Sequence, residues 1–345
     1  MKHFFCVIVG IAVIAAALAS GVPWIIRRCN EGRAVPVLMY HGIADDPGDD
    51  MWTVSTAEFR SQMESLRDGG YTSILPSDIA RARQGLFLFP RKPVVITFDD
   101  GFQSNMTLAE PILLETGMKA ICYLIIGHIA DTPETRTAYR GYPNLVWTEV
   151  REMMKRDAFS FGIHSISHTP NPKRQAREVH PARHVFREKT GAKTASYCYP
   201  YGGDAEPIYK QVTAKRYTTA MVCKNTLFTY TRDADLFRIP RISIHGGRHS
   251  FTVRSCERTE TGLRATIAND GVGLHVIPLL RDRKTGGVLP SVEGVVRLGG
   301  GGRGSVGEST WTWKCVPAEW NLEDLEIILR EPNGLFDFAT LELPR

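Results

Sequence analysis

Two neighbouring carboxylates, Asp99 and Asp100, close the apolar run Val94-Val95-Ile96-Thr97-Phe98 and are followed by Gly101. Adjacent carboxylates repel, and a shared proton or a bound cation is the usual remedy. Asp-Gly is also an ordinary turn signal, so this stretch alone leaves a turn and a cation site both open. Downstream, His164 and His168 stand at i and i+4 directly after the strand-like Phe159-Ser160-Phe161-Gly162-Ile163. Such a pair is often surface decoration, but in a helical or tightly turned segment both imidazoles can face one cation. With Asp100 they would form a two-histidine, one-carboxylate set with open positions, the pattern of a catalytic divalent site rather than a closed structural one. Asp99 would then remain free to take a proton from a water at that cation.

The elements that must position these groups alternate between two periodicities. Val37-Leu38-Met39-Tyr40 reads as a short strand ending in His41-Gly42, and Ala195 to Tyr199 as one ending in Pro200-Tyr201-Gly202. Ser55-Thr56-Ala57-Glu58 is a capping-box pattern, followed by Phe59, Met63 and Leu66 at helical spacing. Further helices are predicted over Leu108–Glu115, Thr148–Met154 (with Thr148 as cap), Pro181–Lys189 and Tyr209–Lys215, with strands over Ala120–Ile126 and Thr218–Val222. This alternation to about residue 248 predicts a parallel β/α architecture, closed or nearly closed as a barrel. His41, Asp99, Asp100, His164 and Tyr201 all fall at carboxyl ends of predicted strands, where such a barrel places its site. After residue 250 the pattern changes to strand-like segments between Gly-rich turns, which predicts an all-β sandwich of about a hundred residues. Gly299 to Gly304 lacks the Gly-Lys-Ser/Thr of a phosphate loop and reads as a hairpin tip.

The chain has 345 residues and a formal net charge of +5. No dense basic stripe with interleaved aromatics is present, which argues against nucleic acid as a partner. Phe4 to Ile26 carries no charged side chain and is flanked by Lys2 and Arg27-Arg28. It is long enough to span a bilayer. Ala17-Leu18-Ala19 resembles a signal-peptide cleavage site, but Pro23 and Trp24-Ile25-Ile26 continue the apolar character beyond it, which favours an uncleaved membrane anchor. Either reading places the bulk of the protein outside the cytoplasm. Seven cysteines are present, without a Cys-x-x-Cys pair. Cys256 with Cys315, and Cys198 with Cys223, are candidate pairs in an oxidising compartment.

Thr97-Phe98-Asp99-Asp100-Gly101, then His164-Ser165-Ile166-Ser167-His168, then Tyr199-Pro200-Tyr201-Gly202 resemble the successive motifs of the polysaccharide deacetylase family (NodB-type, carbohydrate esterase family 4). The resemblance covers roughly residues 34–248. Val37 to Gly42 resembles the start of the poly-N-acetylglucosamine deacetylase branch, in which the domain is circularly permuted. The resemblance implies a distorted (β/α) barrel that removes acetyl groups from N-acetylated, sometimes O-acetylated, sugars. It implies Asp99 as general base, and Asp100, His164 and His168 as ligands of a divalent metal, zinc ahead of cobalt, nickel or manganese. It further implies the Tyr201 backbone N–H as an oxyanion donor and His41, as a cation, as general acid.

The expected organisation is an anchor or signal segment over 1–33, a deacetylase domain over 34–248 and a small β-sandwich-like accessory domain over 249–345. The expected substrate is an N-acetylated extracytoplasmic polysaccharide, poly-N-acetylglucosamine-like in preference to peptidoglycan or chitin-like chains. An O-acetyl or xylan esterase with the same site, and a non-catalytic sugar-binding protein, are the alternatives. One departure stands out. Many family members carry an arginine two residues before the proline of the third motif, where it orients the base, and here that place is Cys198. Arg241 is a candidate substitute, and His245 a rival for the acid role. Trp147 and Tyr142 are read as sugar-stacking or packing residues, and Trp311, Trp313 and Trp320 as a sugar platform or a sandwich core.

Overall fold

The computed structural model describes residues 21–214, 217–246, 251–269, 274–291, 296–298, 307–314, 316–317, 319–330 and 337–343. The chain divides into two compact units, Met1–Gly247 and Arg248–Arg345.

In the first unit, seven strands close a parallel barrel: β1 (Val37–Tyr40), β2 (Pro93–Phe98), β3 (Ala120–Leu124), β4 (Phe159–Ile163), β5 (Ser196–Cys198), β6 (Thr219–Cys223) and β7 (Ile239–Ser243). Each pairs with the next in chain order, and β7 returns to β1. Every residue of β1, β2 and β3 is buried. Continuous apolar runs are what a parallel sheet covered on both faces requires. A two-residue strand, Thr72–Ser73, pairs with β2 outside the ring.

The covering helices follow local signals. Helix α1 (Thr56–Asp68) starts at the Ser55 capping box and buries Phe59, Met63 and Leu66. Helix α2 (Pro76–Gln84) and helix α3 (Glu110–Thr116) end at Gly85 and Gly117, both left-handed. Helix α4 (Trp147–Arg156) begins one residue before the expected Thr148 cap. Its cap is Val146, whose N–H donates to the Glu149 carboxylate at 3.1 Å, so a side chain reaching back replaces a capping hydroxyl. Helix α5 (Pro172–Thr190) is longer than the predicted Pro181–Lys189. Asn171 caps the N–H groups of Lys173 and Arg174, and Pro172 occupies the first turn, where its missing N–H costs nothing. Pro181 is carried inside α5 because Val179, Ala182 and Phe186 are buried on either side of it. Helix α6 spans Glu206–Ala214.

The second unit is antiparallel. One sheet pairs β8 (Phe251–Thr259), β9 (Gly262–Asn269) and β13 (Gly307–Lys314). The other centres on β10 (Leu274–Asp282), which pairs with β11 (Val288–Pro290), β12 (Val296–Leu298) and β14 (Leu325–Arg330). β14 also pairs with β15 (Asp337–Glu342). Leu263, Ala265 and Ile267 meet Leu280, Leu325 and Ile327 in one core, where Trp311, Trp313 and Trp320 are buried. These tryptophans therefore fill a sandwich interior and offer no sugar platform. Gly299 to Gly304 lies outside the described residues.

Cys122, Cys198, Cys223 and Cys256 are free thiols, so the Cys198–Cys223 pairing is not formed. Cys256 has no disulfide partner, and Cys315 lies outside the described residues. Residues 21–30 are helical, and residues 4–20 of the apolar segment lie outside the described residues. No helix among the described residues is long and apolar enough to cross a membrane.

Gly162 in β4 lies beneath the Tyr123 ring, which reaches across it so that its hydroxyl meets Ser196 Oγ at 2.7 Å. A Cβ at Gly162 would stand 2.3 Å from that ring. Gly162→Ala therefore forces repacking inside the barrel, and a loss of about 1–3 kcal/mol is expected in urea unfolding. An unchanged midpoint would show that the ring has room to move.

Candidate active site

The carboxyl end of β2 is fixed before any side chain acts. The Asp99 N–H donates to the Tyr40 carbonyl of β1 at 2.9 Å, and the Gly101 N–H donates to the Asp99 carbonyl at 2.9 Å. Asp100 has φ 72°, a left-handed conformation uncommon outside glycine but tolerated by aspartate. That turn sends the two consecutive carboxylates to different partners.

Asp99 faces Arg241 of β7, and both side chains are buried. Arg241 Nη1 donates to Asp99 Oδ1 at 2.7 Å and Nη2 to Oδ2 at 2.8 Å. The guanidinium also donates to Thr97 Oγ1 at 3.1 Å and to Cys198 Sγ at 3.0 Å. The place left by the missing arginine of β5 is thus filled by a thiol that packs against a guanidinium arriving from β7. Burial alone would push the Asp99 carboxyl up, but the Arg241 charge and its hydrogen bonds hold it well below the usual carboxylate range. Burial likewise keeps the Cys198 thiol protonated by raising it well above its ordinary value.

Asp100 faces the histidines. Its Oδ1 lies 3.7 Å from His164 Nε2 and 3.9 Å from His168 Nε2, and it is buried without a hydrogen-bond partner among the described residues. His164 Nδ1 is 2.9 Å from the Cys198 carbonyl, which can only accept, so Nδ1 carries the proton and the Nε2 lone pair is left facing Asp100. The segment carrying His168 is a tight turn rather than a helix, with Ser165 at φ 66° and His168 at φ 47°. Glu178 of α5 holds this turn, accepting from the N–H groups of Ile166 and Ser167 at 3.1 and 3.0 Å and from the Ser167 hydroxyl at 2.6 Å.

Burial, with the Asp99 charge added, raises the Asp100 carboxyl to about 8. Burial lowers His164, and with the neighbouring His164 it lowers His168 to about 3. Both imidazoles are therefore neutral and able to donate lone pairs. Ligand atoms of Asp100, His164 and His168 lie within 4.8 Å of one another. The orphaned Asp100 oxygen and the oriented His164 lone pair fit a divalent cation. Asp99, His164 and Cys198 are equally close together. They do not fit, because Arg241 occupies both Asp99 oxygens and the thiol is protonated.

The remaining predicted residues surround this centre unevenly. His41 follows β1, and its ring centroid lies 4.8 Å from that of Trp52, which lies 5.2 Å from His245 on another side. Burial lowers His41 to about 4, so the resting imidazole is neutral rather than the expected cation. Tyr201 follows β5 with φ 58°. Its side chain is exposed, its ring lies 4.5 Å from His168 and its hydroxyl donates to the His168 carbonyl at 3.1 Å. Trp147 is buried against Phe186 and does not line the site. Tyr142 is half-buried and packs on Phe102. Sequence reasoning passed over Glu178, Trp52 and Tyr139, whose hydroxyl lies 3.3 Å from His168 Nδ1. Glu178 was hidden because α5 was expected to begin after it.

Residues 89–220 match the sequence model of the family described as polysaccharide deacetylase. It is 26% identical over 228 residues to YxkH of Bacillus subtilis (strain 168), which is named for the same family, covering 65% of this chain and 75% of that one. It is 31% identical over 136 residues to the poly-beta-1,6-N-acetyl-D-glucosamine N-deacetylase of Escherichia coli (strain K12), covering 37% of this chain but only 20% of the E. coli protein. The fold matches the Streptococcus pyogenes deacetylase PplD in complex with acetate, with a TM-score of 0.54 and 24% identity over 62% of this chain and 93% of that one. The protein is an enzyme of the polysaccharide deacetylase class.

Removing Arg241 strands the Asp99 carboxylate in the barrel. Arg241→Met is expected to cost about 3–5 kcal/mol in denaturant unfolding. Arg241→Lys keeps the charge but loses the fork, so it should recover part of that stability. Equal stability of Arg241→Met and the parent protein would show that Asp99 does not depend on Arg241.

Proposed function

We propose that this chain hydrolyses N-acetyl groups on an extracytoplasmic polysaccharide in a reaction that depends on a divalent metal. A poly-N-acetylglucosamine-like exopolysaccharide is the favoured substrate, and similarity to the E. coli enzyme supports that class. The observation that carries the reading is the separation of two adjacent aspartates, Asp99 onto Arg241 and Asp100 onto two neutral imidazoles.

Asp100, His164 and His168 are the proposed ligands, and two imidazoles with one carboxylate suit zinc. A divalent cation held by these residues would polarise the acyl carbonyl and acidify a water enough for a weakly basic carboxylate to take its proton. Asp99 is the proposed acceptor of that proton, with Arg241 fixing both of its oxygens in place. The Tyr201 backbone N–H, in the left-handed turn after β5, is the proposed oxyanion donor. His41 is the proposed donor to the departing amine. It starts neutral and takes up the proton that Asp99 has accepted from the water, because negative charge building on the acyl group raises an imidazole, and it passes that proton to the departing amine. His41 is preferred to His245 because it follows β1 directly and lies within electrostatic reach of Asp99. The β unit is proposed as an accessory domain. The apolar segment Phe4–Ile26 is proposed as a membrane anchor.

Acetate and free-amine release from N-acetylglucosamine oligomers, measured with cation binding by calorimetry, tests these roles. Asp99→Asn should keep cation binding and lose about 100-fold or more in turnover, in the range of general-base catalysis. Asp100→Asn should lose both binding and turnover. Acetate release without free amine on an acetylated glycan panel would replace this reading with O-ester hydrolysis. Full activity of His41→Ala would remove His41 from the acid role.

A further inference from the structure

Among the described residues, five of the eight exposed large apolar side chains of the first unit fall in two segments. Val22, Trp24 and Ile25 belong to the helix over residues 21–30, and Leu86 and Leu88 belong to the loop after α2; all five are exposed, Trp24 by 59% and Leu86 by 57%. These two segments are bound together. A Cβ on Gly85 (φ 76°) would stand 2.4 Å from the Pro23 carbonyl oxygen, so only glycine admits the contact. Arg27 Nη1 donates to the Gln84 carbonyl at 3.2 Å. Asn30 Nδ2 donates to the Phe87 carbonyl at 2.8 Å, and Asn30 Oδ1 accepts from the Phe89 N–H at 2.9 Å. These contacts set the two segments side by side, so their exposed apolar groups lie on neighbouring stretches of the surface. Isolated exposed apolar residues need no explanation, but a contiguous set does.

Three features identify what covers this face. Residues 1–20, outside the described residues, are apolar apart from Lys2, His3 and Ser20, and the chain leaves them at Gly21, beside Val22 and Trp24. Arginines fringe the face: the Arg28 guanidinium lies 5.9 Å from the Trp24 ring centroid, and Arg33 Nη2 donates to the carbonyls of Pro90 and Arg91. Tryptophan and leucine beside arginine is the composition of a membrane–water interface. Finally, the face lies at the amino ends of β1 and β2, since Arg33–Val35 leads into β1 and Arg91 into β2. The site lies at the carboxyl ends of the same strands.

We infer that this face rests on the bilayer surface, so that the barrel stands amino end down and its site opens away from the membrane. The strands between the two ends set that distance at about 20 Å, from about 3.3 Å per residue. This rests on the reading of the apolar segment as an anchor, and it adds an orientation that an anchor alone does not impose. A polysaccharide would then reach the site from the outer side, clear of lipid headgroups.

The test uses the full chain in liposomes of phosphatidylcholine and phosphatidylglycerol, with or without brominated acyl chains. In a Trp24→Phe background, Leu88→Trp is compared with Tyr201→Trp, an exposed position after the carboxyl end of β5. Brominated lipid is expected to remove most of the added emission from Leu88→Trp and to leave that from Tyr201→Trp unchanged. Equal quenching at the two positions in protein that floats with the liposomes overturns the docked face and leaves the anchor standing. Failure to float overturns both.

Discussion

Arg241 and Asp99 meet inside the barrel through two short hydrogen bonds, and the neighbouring chemistry depends on that contact. Two adjacent buried carboxylates without a cation would compete for one proton. The guanidinium removes the competition by fixing the charge on Asp99. Asp100 is then left as the group that responds to its surroundings, protonated when alone and ionised when a cation is supplied. The same guanidinium joins β7 to β2 through Thr97, whose hydroxyl donates on to the Leu38 carbonyl of β1 at 2.8 Å. One ion pair therefore links the closing strands of the ring to the centre of the site.

The two aspartates have opposite linkage to stability. Asp99 is depressed, so its contribution is present above the ordinary value of 3.8 and is lost as pH falls below it toward the folded value. Asp100 is raised, so the folded protein keeps its proton while the unfolded chain gives it up. Its effect is a loss of stability as pH climbs from 3.8 to about 8, flat beyond. A cation held at Asp100 would offset this penalty by supplying a counter-charge.

The barrel was legible because its strands are buried on both faces and its helices carry caps and glycine stops. Ser55, Glu58 and Gly117 are local signals that tertiary packing did not override. The grouping of Asp100, His164 and His168 was legible for a different reason: they follow strand ends, and closing the ring brings strand ends together. What was hidden or only open was non-local. Arg241 was no more than a candidate for the missing arginine, because it stands 142 positions from Asp99 and their contact depends on β7 returning beside β1. Glu178 acts on a turn 11 to 12 positions before it, from a helix whose start was masked by Pro181. The neutral state of His41 follows from burial, which no residue count reveals. The tryptophans of the β unit were ambiguous because a sugar platform and a sandwich core use the same side chains.

The central claim is that in the resting protein one aspartate is charged and its neighbour is not. Carbon-13 NMR of aspartate-labelled, metal-free protein, with Asp99→Asn and Asp100→Asn used for assignment, measures this directly. The account predicts an Asp99 carboxyl that remains ionised well below the usual carboxylate range and an Asp100 carboxyl that titrates near 8. Two ordinary titrations, or an Asp99 that gains a proton before Asp100 does, would contradict it.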